Sequence, residues 1–253
     1  MFKAVKLQII VSIFLIGLFV NAKEKPYIQT KTKKIVVDSI TADTNGTLTY
    51  KSSTFSQKIK PKDYIYARIP MPKEIINASK KLKAKQYKDA ISGLKQAFTK
   101  YKYLGWDIFT LYYTAYSLDK MGKVDDALAV LKEITKKPLD DEKLPNYFKA
   151  KKLEAVLFIA SGKFDQAEEV LARIGEADDP SIFVFVNNSR GDILSKKGKK
   201  REALIMYLRT IMFCTKENKK ERPEALKKVI AILKEKKNSR FSDFEAILKK
   251  EYP

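Results

Sequence analysis

The chain has 253 residues, with 51 Lys and Arg against 30 Asp and Glu, a net charge of +21, no His and one Cys. Without His there is no Ser-His-Asp triad, no Cys-His dyad and no His-ligated metal site, and a single thiol builds neither an internal disulfide nor a cysteine cage. Apolar residues at 45% and aromatics at 11% are ample for a packed core, so the composition speaks against wholesale disorder.

The first elements carry an address. Lys3 and Lys6 precede an apolar run, Leu7 to Val20, and Val20-Asn21-Ala22 then offers small residues at −3 and −1 before Lys23. A basic start, a short apolar run and a small-residue site make a secretory signal peptide over residues 1–22. The alternative is a retained anchor, but the run falls short of the roughly 20 apolar residues a spanning helix needs. The expectation is an exported, periplasmic chain that is soluble after cleavage.

Residues 23–70 form a small β-rich segment. Lys34 to Ile40 is β-branched, Thr47 to Tyr50 is extended, and Asn45-Gly46 between them is a hairpin signal in which both turn positions need positive φ. Phe55 to Lys60 is a weaker strand ended by Pro61, and Tyr64 to Ile69 alternates well. Three or four strands in a half-barrel or meander are expected.

From Lys73 the apolar spacing is helical. Ala90, Ala127, Ala167 and Ala203 stand 37, 40 and 36 residues apart. Twelve positions before them stand Ala78, Ala115, Ala155 and Gly191; five before, Lys85, Gly122, Gly162 and Gly198; four after, Leu94, Leu131, Leu171 and Tyr207. Small residues on both helices of a hairpin let them approach closely, a Gly between them supplies the positive φ of a tight turn, and the large residue fills the core. One such hairpin cannot bury its apolar face alone, so neighbours must stack.

This pattern resembles the tetratricopeptide repeat (TPR) family. The second copy reads Leu111-x3-Ala115-x2-Leu118-x3-Gly122-Lys123-Val124-x2-Ala127-x3-Leu131, the third and fourth repeat it from Ala155 and Gly191, and the first has Lys85 in place of Gly. The family's Trp near the start of the first helix is missing at that offset, with Trp106 five positions too early in the second copy. The implied fold is mainly α: an α-solenoid of about four TPR-like hairpins over residues 71–215, then capping helices over residues 216–253, one from Pro223 to about Lys236 and one from about Arg240 to Lys250.

The resemblance also implies a ligand surface, a groove lined by the first helix of each hairpin. The family's offsets fall on Phe109, Tyr112 and Tyr116, on Lys149, Lys152 and Val156, and on Phe185, Asn188 and Asp192. This aromatic patch beside a cationic one would take a peptide segment or a partner helix. Alternatively, Tyr112, Tyr113 and Tyr116 merely pack between repeats. The set does not reproduce the family's Lys/Asn clamp for C-terminal carboxylates.

Charge supplies a second surface. Residues 144–180 are net −2 and residues 181–253 are net +10. Lys216, Lys219, Lys220, Arg222, Lys227 and Lys228 would form a basic patch for an anionic polymer or lipid surface. Lys dominates Arg and alternates with Glu, as on solvated helices, which disfavours nucleic acid as the partner. Acid pairs such as Asp125-Asp126 and Glu168-Glu169 sit at helix starts, where they offset the dipole. Asp43-Thr44-Asn45-Gly46 reads as a turn more readily than as a calcium loop, because Ser52 stands where a bidentate Glu is required. Cys214, beside Ile211, Met212 and Phe213, reads as a buried thiol. No catalytic residue, cofactor or metal is expected. The leading reading is a non-enzymatic scaffold in a cell-envelope assembly, and the second is a structural envelope protein that binds through its basic end.

Overall fold

The computed structural model describes residues 24–135, 146–177, 179–214 and 220–253. The leader therefore lies outside the described residues, as do Lys216 and Lys219 and the segment between Lys137 and Leu144. The chain divides into two compact units at Pro70 and Met71.

The first unit holds six short strands, β1 (Tyr27–Gln29), β2 (Lys34–Val36), β3 (Ser39–Ala42), β4 (Leu48–Ser52), β5 (Phe55–Ile59) and β6 (Tyr66–Arg68). They make two antiparallel three-stranded sheets, ordered β2-β1-β6 and β3-β4-β5. The expected single strand from Lys34 to Ile40 is thus two strands in different sheets. The chain changes sheet at Val37 and Asp38: the Val37 N–H donates to Pro26 O at 2.9 Å, and the Asp38 N–H to Lys51 O at 2.8 Å. Ile28, Val37, Ile40, Leu48, Tyr50 and Ala67 are buried.

The Asn-Gly hairpin is present with a different turn. Of the two residues only Gly46 has positive φ, +84°. The Asp43 N–H donates to Thr47 O at 3.0 Å, and the Asp43 carboxylate accepts from the N–H groups of Asn45 and Thr47, both at 2.9 Å. This is a three-residue loop with Gly in the left-handed position. Asp43 satisfies backbone donors, which is what a turn needs, and these hydrogen bonds hold its carboxyl below the usual range.

The second unit is helical: α1 (Lys73–Lys83), α2 (Tyr87–Tyr101), α3 (Asp107–Lys120), α4 (Val124–Thr135), α5 (Tyr147–Ala160), α6 (Phe164–Gly175), α7 (Pro180–Lys196), α8 (Lys200–Phe213), α9 (Glu221–Glu235) and α10 (Phe241–Glu251). Four hairpins, α1/α2, α3/α4, α5/α6 and α7/α8, share one local design. Ala90, Ala127, Ala167 and Ala203 are wholly buried on the second helices, and Ala78, Ala115, Ala155 and Gly191 are buried on the first. Each turn closes with the same hydrogen bond spanning five residues, Gln86 N to Lys81 O, Lys123 N to Leu118 O, Lys163 N to Phe158 O and Lys199 N to Leu194 O, all at 2.9 Å. The residue before each donor is left-handed: Lys85, Gly122, Gly162 and Gly198 have φ of 59°, 73°, 72° and 77°.

The capping helices α9 and α10 close with the same turn. Asn238 N donates to Leu233 O at 2.9 Å, and Lys237 has φ 53°. Here α10 begins two residues later than in the other hairpins, and Phe244 occupies the fourth helical position, where the others have Ala. Phe241 and Phe244 pack against the core cluster that includes Ala225, Val229 and Leu233. Between α6 and α7, Asp179 caps the helix that Pro180 opens, accepting from Ser181 N at 2.7 Å.

Candidate functional site

Within the helical unit α3 approaches α5, α5 approaches α7 and α7 approaches α9, so the first helices of successive hairpins form an inner layer. All nine groove positions lie on α3, α5 and α7.

The α3 end is aromatic. Tyr112, Tyr113 and Tyr116 form a mutual cluster, with ring centroids 4.8 Å apart for Tyr112 and Tyr113 and 6.4 Å for each pair with Tyr116. Phe109 is buried, 4.5 Å from Tyr113 and 5.6 Å from Trp106. Tyr112 is half-buried and packs on the core around Ile108, Leu111 and Ala115. Burial, helped by the neighbouring rings, pushes its phenol above the usual range. Phe109 and Tyr112 therefore serve packing as well as any surface, while Tyr116 stands at the edge, 6.4 Å from Tyr87.

The α5 stretch is cationic and open. Lys149 is exposed and Val156 is 46% exposed. Lys152 is half-buried, with Nζ 5.3 Å from the centre of the Phe185 ring and 3.4 Å from Ser181 O. Burial lowers its ammonium pKa, against the opposing pull of Glu221 and Asp179.

The α7 end is polar and internally satisfied. Asn188 is buried and accepts from Lys228 Nζ at 3.2 Å. Asp192 accepts from Lys228 Nζ at 2.9 Å and from Tyr207 Oη at 2.7 Å. This network ties α7 to α8 and α9, and burial together with Asp192 raises the Tyr207 phenol pKa. Lys228, which charge alone assigned to the basic patch, belongs here. The offsets also missed Tyr113, because they pick residues one helical turn apart and skip the ring that joins them.

The rest of the basic patch is dispersed. Arg222 grips Glu251 with two hydrogen bonds, of 2.7 and 2.9 Å, and donates to the carbonyls of Ile211 and Cys214 at the end of α8. Lys220 and Lys227 are exposed, and Lys216 and Lys219 lie outside the described residues. Cys214 is buried, and its thiol is pushed up to about 11 by burial and by Glu221.

A cavity of about 440 Å³ opens between α4, α5 and α6, with Asp125, Lys132, Phe158, Lys163 and Arg173 among its lining. On its α5 side Lys151 and Glu154 form a buried ion pair at 2.7 Å. Two of the predicted helix-start acids pair with the next hairpin: Asp125 with Lys163 at 3.3 Å and Glu168 with Arg190 at 3.0 Å. Among the described residues no cluster of His, Cys, Asp and Glu is arranged to hold a metal ion, and no helix is long and apolar enough to cross a membrane.

Residues 120–182 match the family model described as Tetratricopeptide repeat. The fold is similar to solved structures of MamA. One, MamA 41-end from Desulfovibrio magneticus RS-1, shares 12% identity at a TM-score of 0.53, covering 72% of this chain and 97% of that one. Another MamA crystal structure shares 15% identity at a TM-score of 0.52, with 72% and 96% covered. A Podosopora anserina putative kinesin light chain with nearly identical TPR-like repeats shares 13% identity at a TM-score of 0.52, with 70% and 92% covered. No curated protein sequence matches. Residues 120–182 carry the tetratricopeptide-repeat match, and the helical unit has the fold of a solenoid of stacked helical hairpins. Stacked repeats of this kind form extended surfaces consistent with protein–protein interaction.

Proposed function

We propose that this protein is a non-enzymatic, exported scaffold whose inner helical face takes a peptide segment or partner helix in a cell-envelope assembly. The observation that carries the reading is that the predicted groove positions fall on three neighbouring helices, α3, α5 and α7, with Lys149 and Val156 exposed between them. Tyr116 lies at one end, Lys149, Lys152 and Val156 in the middle, and Phe185 beyond. Aromatic and aliphatic surface supplies anchors, and the lysines supply orientation toward an acidic partner. Export rests on the basic, apolar and small-residue order of residues 1–22.

A photo-crosslinking side chain at Val156 tests the groove in cells. It should yield a discrete protein adduct, and Lys149→Glu with Lys152→Glu should reduce that adduct at least about tenfold, a loss of about 1.4 kcal/mol, with helicity unchanged. A crosslinker at exposed Ala129 on α4 should yield none. An adduct indifferent to the charge reversal rejects the groove. The second reading, a basic end that holds anionic polymer or membrane, loses Arg222 and Lys228 to internal ion pairs and needs a different surface.

A further inference from the structure

The outer face of α8 carries a surface that the groove does not use. Ile205, Leu208 and Met212 follow one another at three- and four-residue steps, so they share one stripe of the helix. They are 50%, 36% and 73% exposed, while Ala203, Tyr207 and Thr210 on the opposite side are buried. Phe213 continues the stripe at the helix end, 57% exposed, with its ring 4.9 Å from that of Phe183, itself 42% exposed. Met212 and Phe213 are the two most exposed large apolar side chains among the described residues. A contiguous apolar patch of this kind marks an interaction surface rather than ordinary scatter.

Charge identifies the occupant. Arg201 stands one turn before Ile205 on the same stripe, and Arg209 flanks Leu208; both are exposed. Neither makes a hydrogen bond or ion pair to another described residue, although Arg190 and Arg222 nearby are both paired. Apolar side chains interleaved with unpaired cations are the composition that enters the headgroup region of an anionic bilayer, the aliphatic part below and the guanidinium groups at the phosphates. The shape agrees. Met212 and Phe213 project from a helix end, which wedges into lipid, whereas a partner helix would ask for a groove. A second copy meeting this face through the same stripe would set Arg201 and Arg209 of one copy against those of the other. We infer that the outer face of α8, through Ile205, Leu208, Met212 and Phe213 with Arg201 and Arg209, docks this protein peripherally on an anionic membrane surface.

Co-sedimentation of the full chain with vesicles tests this. On equal parts of phosphatidylcholine and phosphatidylglycerol, Met212→Ser with Phe213→Ser should weaken binding at least about tenfold relative to wild type, and Arg201→Glu with Arg209→Glu should do the same. On phosphatidylcholine alone wild type and both variants should behave alike. Circular dichroism should be unchanged, because every altered side chain is exposed. Three results overturn the proposal: equal binding of all proteins to the anionic vesicles; loss in the Arg variant alone, which means that the face reads charge as on any polyanion; or a wild type that self-associates in sedimentation velocity and loses this in the Ser variant, which makes the stripe a contact between copies. Photo-crosslinking from Val156 should persist in both α8 variants, so failure here and failure of the groove are separate outcomes.

Discussion

At the scale of single residues, Lys85 is the clearest anomaly. It holds φ of 59° in a turn where three other hairpins place glycine. A left-handed L-residue costs roughly 1–2 kcal/mol, and the larger unfolded-state freedom of Gly gives back about 0.5–1. Lys85→Gly should therefore stabilise the protein by about 0.5–1 kcal/mol, seen as a higher urea midpoint at unchanged m-value. Cys214 makes an opposite kind of prediction. With its thiol at about 11, only a trace is thiolate at neutral pH. Alkylation at pH 7 should be roughly a hundredfold slower in the native protein than in denaturant, followed by mass spectrometry. Its burial was legible in its apolar neighbours. The carbonyl contact that Arg222 makes with it was not, because that depends on where α9 lands.

At the scale of elements, the hairpins were readable because each closes on short-range rules: a small residue on each helix, a left-handed turn residue and a large core residue. Gly191 shows why a small residue is needed. A Cβ there would lie 2.5 Å from Tyr207 Cε1. The α5 helix carries something the repeat pattern does not announce, the buried Lys151–Glu154 pair, with side chains only 2% and 7% exposed. Removing one partner leaves a buried charge. Lys151→Met or Glu154→Gln alone should cost about 3–5 kcal/mol, while Lys151→Met with Glu154→Leu should return close to wild type, measured by urea unfolding. Sequence offered only an i,i+3 pair of opposite charges, which on most helices faces water. The β-rich unit was less legible still. Strands of three residues are too short for an alternation signal, and the change of sheet at Val37 and Asp38 is set by which partners those two amides find.

At the scale of the molecule, a solenoid couples mostly through nearest neighbours, so damage should stay local. Gly191→Ala drives a methyl into the Tyr207 ring, which cannot swing away without releasing Asp192 and, through it, Lys228 of α9. We expect a loss of about 2–3 kcal/mol. Amide exchange should accelerate across α7 to α10 while α1 to α4 keep their protection; uniform acceleration would show that the unit unfolds as one. The same connectivity explains the fate of the predicted surfaces. Lys149 and Val156 stay exposed and Tyr116 is partly covered by neighbouring rings, whereas Asn188 and Asp192 meet a lysine from the next hairpin.

The sequence by itself determined the repeat, the turn positions, the helix pairs and the order of a short β-rich piece before a helical one. All of these rest on interactions within a few tens of residues, where spacing fixes which side chains share a face. Only the tertiary structure decided which charges are available. Arg222 and Lys228 look like their exposed neighbours in sequence and are consumed by Glu251, Asn188 and Asp192 across 29 to 40 residues, while Arg201 and Arg209 remain open beside an apolar stripe. The net charge of +21 counts cations. Whether a cation binds a partner or holds its own fold depends on which acid lies within 4 Å, and packing between helices sets that distance.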